Sequence, residues 1–147
     1  MHDPSFTSAC PEAESFCRHK RVESARRLVV EKLGLDRETG GAYSGFYKDF
    51  FLVVDFSELH PLMVLTFSRP YSLHVNVHTY RRLNRTNQSS ILGSHIMNND
   101  VGCYSFRATQ WLLSCLTEED LYRILERCHA DAQKGFAALS PCLFCQS

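Results

Sequence analysis

The chain has 147 residues, with sixteen basic and sixteen acidic side chains and no net formal charge. That length supports one core, so residues 1–147 are expected to form a single domain, with a loose start over 1–10 and a loose tail over 140–147. The balanced charge lacks the basic surplus of a strongly nucleic-acid-binding domain. The longest apolar runs, Phe50–Val54 and Leu62–Leu65, are strand-sized and far short of the roughly 20 residues of a membrane helix.

Taken in chain order, Pro11-Glu12-Ala13-Glu14 suits a first helical turn. Proline is tolerated there, and the acids face the positive end of the helix dipole. Val22, Ala25, Val29 and Leu33 recur every three or four residues beside Leu28 and predict one buried stripe, closed by Gly34. Leu35–Gly41 reads as a linker. Aromatic and β-branched residues then predict strands at Phe46 and Phe50–Phe56, and again at Leu62–Ser68 after a turn. Tyr71–His78 alternates, with Leu73, Val75 and Val77 on one side and His74, Asn76 and His78 on the other. It reads as a third strand with one covered and one wetter face.

Thr79–Asn87 has a short helical spacing. Ser90–Met97 and Val101–Arg107 form a predicted hairpin about Asn98-Asn99-Asp100, while Ala108–Leu116 fits either a packed connector or a helical turn. Thr117 is the expected N-cap of a last helix reaching about Leu139, with acids in its first turn. Leu121, Leu125, Cys128, Ala132, Phe136 and Leu139 lie along its stripe, and Pro141 is its expected stop.

No sequence signature of catalysis stands out. His74 and His78, four residues apart on a strand, would sit about 13 Å apart, too far to share one zinc ion. Cys142 and Cys145 form a CxxC that needs two further ligands; Cys10, Cys17 or His19 are the candidates if the termini meet. Cys128 and His129 point in different directions on a helix and cannot form a nucleophile–base pair with each other. Asp49 and Asp55, about 20 Å apart on a strand, are too distant for paired acid–base work. The seven cysteines lack the spacing of a disulfide framework and are expected as free thiols in a reducing compartment. Met1-His2-Asp3-Pro4 lacks the basic start and apolar run of a signal peptide, so a cytoplasmic location is expected.

Two features suggest partner contact. Arg81, Arg82 and Arg85 form the densest positive spot, suited to an acidic segment or to solvent alone. Trp111, beside Leu112, fits either an interface anchor or the core.

The order of elements, with Leu83-Asn84-Arg85 before a strand, Asn98-Asn99-Asp100-Val101-Gly102 at the hairpin and Thr117-Glu118-Glu119-Asp120-Leu121 opening the last helix, resembles the YbjN-like group. That group shares its fold with class I type III secretion chaperones. The resemblance implies an α+β domain, α-β-β-β-α-β-β-α, with an antiparallel sheet of about five strands and the terminal helices packed on one face. It also implies a dimer and a non-enzymatic role in holding or sensing another polypeptide; a homodimer with no cofactor and no nucleic-acid or membrane partner is the expectation. A metal- or thiol-dependent enzyme built on the Cys and His residues is the alternative, and spacing gives it less support.

Overall fold

A computed structural model describes residues 11–57, 59–72 and 75–143. Helix α1 (Pro11–Leu33) opens on Glu12 and Glu14, and its second half buries Val22, Ala25 and Val29. It ends at Gly34, whose φ of +62° turns the chain into the left-handed region that glycine enters without strain. Six antiparallel strands follow, β1 (Asp36–Arg37), β2 (Tyr43–Tyr47), β3 (Phe50–Phe56), β4 (Leu62–Pro70), β5 (Gly93–Asn98) and β6 (Cys103–Trp111), in the spatial order β1-β2-β3-β4-β6-β5. Helix α2 (Val77–Ser89) joins β4 to β5, and α3 (Glu118–Leu143) closes the chain.

The period of two along the strands decides the layers. Phe50, Leu52, Val54 and Phe56 of β3, Met63, Leu65 and Phe67 of β4, and Tyr104, Phe106 and Ala108 of β6 are buried on one face. Against that face lies the predicted stripe of α3, from Leu121 to Leu139, together with Ala25 and Val29 of α1. The Thr117 hydroxyl accepts the Asp120 N–H at 3.2 Å, as expected of an N-cap. The α+β architecture with helices on one face is therefore present.

Four expectations are corrected. The linker Leu35–Gly41 contains β1, a two-residue strand whose Asp36 and Arg37 pair with Ser44 and Tyr43 at one edge of the six-stranded sheet. Tyr71–His78 is not a strand. Asn76 accepts from the His78 and Thr79 N–H groups, and Thr79 accepts from the Asn76 N–H, so a capping box draws Val77 and His78 into α2. Leu73 and His74 lie outside the described residues. Ala108–Trp111 is neither connector nor helix but the end of β6, paired residue for residue with Leu62–Leu65. Lastly, α3 passes its expected stop at Pro141 and ends at Leu143, since a proline so near the end removes a single N–H donor and only two helical residues follow it.

Candidate polypeptide-binding face

The other side of the sheet holds no buried residue. Strand register arranges it in rows. Phe46, Phe51, Ser68, Ser105 and Ile96 form one row; Ser44, Val53, Thr66, Arg107 and Ser94 form the next. Asp55, Val64 and Thr109 follow, and Leu62 with Trp111 closes the face. The middle is lined with hydroxyls, Ser68 and Ser105 meeting at 2.8 Å, and the two ends are apolar.

At the β2–β3 end the Phe46 and Phe51 rings meet edge to face at 5.5 Å, with Phe46 78% exposed. At the opposite corner Trp111 is 50% exposed, with the His60 ring 5.9 Å away. Between them Arg107 has no ion pair among the described residues. Large aromatic anchors flanking a polar centre with one free cation make a surface suited to an extended chain bearing apolar side chains and an acidic group.

The β5 edge of the sheet is closed by contrast. The Asn87 side chain donates to the His95 carbonyl at 2.9 Å and accepts the His95 N–H at 2.7 Å. Ser90 Oγ donates to the Gly93 carbonyl at 2.6 Å. An amide side chain thus stands where a neighbouring strand's backbone would pair, which blunts β5 as a template for strand addition.

The structure separates the residues that the sequence suggested. Trp111 lies on the open face, but Leu112 is 1% exposed and belongs to the core, so it is no contact residue. Its backbone N–H donates to the Pro61 carbonyl at 2.6 Å, and its own carbonyl accepts from Arg21 at 3.1 Å; these bonds turn the chain inward after Trp111. Arg81, Arg82 and Arg85 sit on α2, on the helix side of the sheet, away from Trp111. Arg82 donates to the Ala138 carbonyl at 3.2 Å. Cys17 is exposed on α1; Cys10, Cys145 and the Cys142 side chain lie outside the described residues. Among the described residues no three His, Cys, Asp or Glu side chains converge as a metal site would require.

One polar cluster escaped the sequence reading. His129, buried on α3, donates from Nε2 to Asp49 Oδ1 at 2.8 Å, and Arg69 donates to the other carboxylate oxygen at 3.0 Å. Lys48 pairs with Glu126 at 2.8 Å and Tyr47 donates to the same carboxylate. These bonds clamp the β2–β3 turn to α3, although Asp49 and His129 are eighty residues apart. The neighbouring Cys128 is no nucleophile for this pair, because burial pushes its thiol up to about 11.

The hydrogen bond from His129, with Arg69 beside it, holds the Asp49 carboxyl below its ordinary 3.8. A carboxylate depressed in the folded state adds stability that is whole above the unfolded value and is lost as pH falls through the folded one. The stability difference between wild type and Asp49→Asn should therefore be constant above about pH 5 and shrink below about pH 4. Urea melts across that range measure it, and a difference unchanged down to pH 3 would refute the clamp.

No family model matches the sequence, and no curated protein matches it. Solved structures do match. The E. coli protein YbjN has a TM-score of 0.56 at 12% identity, over 80% of this chain and 89% of its own. The Yersinia pestis type III secretion chaperone SycH, solved in complex with a stable fragment of YscM2, has a TM-score of 0.53 at 12% identity, over 78% of this chain and 98% of its own. SchA in the HopA1-SchA chaperone–effector complex has a TM-score of 0.49 at 12% identity, over 82% of this chain and 97% of that one. The chain has the fold that YbjN and the secretion chaperone share, as its order of elements implied.

Proposed function

We propose that this chain is a non-enzymatic, dimeric module that holds another polypeptide on its open sheet face. The observation that carries the reading is that face itself. One whole side of a six-stranded sheet is left uncovered by its own helices and presents Phe46 and Trp111 to solvent. Exposed aromatics at two ends of one surface supply two anchors for a single extended chain. The fold likeness to SycH, solved in complex with a stable fragment of YscM2, supports the same reading. So does the closed β5 edge, where the Asn87 side chain stands in the place of an added strand.

The test compares proteins retained from a lysate of the source cells by wild type, by the double variant Phe46→Glu/Trp111→Glu, and by Arg81→Glu on the helix side. A partner retained by wild type and by Arg81→Glu should bind the double variant at least roughly 30-fold more weakly, as loss of two aromatic anchors predicts. Equal retention by all three would defeat the proposal. Light scattering across a concentration series reads the dimer, and a strict monomer removes that part of it.

A further inference from the structure

On the helix side of the molecule, α2, α3 and β5 enclose a cleft of about 590 Å³, within the roughly 300–1,000 Å³ of small-molecule sites. His95 forms part of its wall and is 5% exposed. Its Nδ1 lies 2.6 Å from the Tyr104 hydroxyl, which lies 3.2 Å from the Ala132 carbonyl oxygen. A phenol has one proton and a carbonyl can only accept. The Tyr104 proton therefore goes to Ala132, and Nδ1 must donate to the phenol oxygen. A neutral ring so arranged carries a bare lone pair on Nε2, and burial lowers the His95 pKa and keeps the ring neutral.

That nitrogen has no hydrogen-bond partner among the described residues, yet every fully enclosed side-chain nitrogen and oxygen among them is hydrogen-bonded. Nε2 is thus not fully enclosed, and the cleft is the open space that His95 lines. Arg85 and Lys134 stand on the cleft wall with Asp131, none of them ion-paired among the described residues, which leaves one net positive charge. Ile91, 94% exposed, adds an apolar lip with Leu92 and Ala138.

We propose that this cleft binds a small organic monoanion with an apolar body and one N–H or O–H donor, the donor meeting His95 Nε2 and the anionic group meeting Arg85 and Lys134. A phosphate dianion would bring a second negative charge toward Asp131 with no further cation to offset it. The site is independent of the open face, because the two lie on opposite sides of the sheet.

N-acetyl-L-leucine, which combines a carboxylate, an N–H and an apolar chain, is the probe. N-acetyl-L-leucinamide removes its charge and isocaproate removes its donor. Titrated into the full-length ¹⁵N-labelled protein, the acid should saturate shifts at the amides of Ser90–His95 and Lys134–Ala138, with a Kd on the order of 1 mM. It should also move the His95 Nε2 resonance. Both comparators should bind roughly tenfold more weakly. Arg85→Glu, a change at an exposed position, should weaken the acid and not the amide, and Asp131→Asn should tighten the acid. Absent or unsaturable shifts, equal binding of the three compounds, or tighter binding of inorganic phosphate would each overturn the proposal.

Discussion

Phe67→Ala should lower the free energy of unfolding by about 3–5 kcal/mol, whereas Phe46→Ala should lower it by no more than about 1 kcal/mol. The two residues share a side-chain type and a sheet but face opposite ways. Phe67 is buried between β3 and β6, registered with Leu52 and Phe106, and its ring meets those of Tyr47 at 6.1 Å and Phe50 at 6.3 Å. Deleting it opens a void that a close-packed sheet under α3 cannot refill without moving three strands. Phe46 loses only its edge contact with Phe51. With a urea slope of about 1–3 kcal/mol per molar, the Phe67→Ala midpoint should fall by at least about 1 M. A fall below about 0.5 M would mean that the core sits elsewhere. The same pair separates stability from binding, because Phe46→Ala should weaken the partner contact while leaving the fold intact.

Much of this architecture is legible along the chain. The i, i+3 and i+4 stripe of α3, from Leu121 to Leu139, is buried at every predicted position, because a long amphipathic helix states its inner face without outside help. Strands β3 and β4 are equally plain. The misread segment, Tyr71–His78, shows where local pattern loses to local chemistry. Val75 and Val77 alternate as a strand would, but two hydrogen bonds onto the Asn76 side chain start a helix there. An Asn three residues before a Thr was the available signal. The candidate face was legible only in halves. Trp111, beside Leu112, reads as an interface anchor or a core residue, yet Phe46, Phe51 and Arg107 join it only through strand register, which no single segment encodes. The Asp49–His129 clamp was invisible for the same reason, since nothing near either residue points to its partner.

Gly93→Ala should carry the second large effect, lowering stability by about 1–3 kcal/mol or more. A Cβ at Gly93 would lie 2.2 Å from the Arg107 carbonyl oxygen and 2.9 Å from both its carbon and Phe106 Cζ. The obstacle is backbone, so no rotamer change relieves it, and β5 must move away from β6. That motion pulls on Ser94, paired with Arg107, and on His95, whose backbone is held by Asn87 from α2. The amides of Ser94 and Ile96 should therefore exchange faster than in wild type, and the C-terminal turn of α2 should loosen with them. Gly40→Ala, at a position with nothing within 4 Å of its would-be Cβ, is the matched control and should leave both readouts unchanged. If the two variants melt at the same urea concentration, the close approach of β5 to β6 is not real. If only Gly93→Ala falls and its exchange rises in β5 alone, then the edge strand is a separately loosened unit. The open face then loses only its Ser94–Ile96 margin, and the Phe46 and Trp111 ends that we assign to binding keep their place.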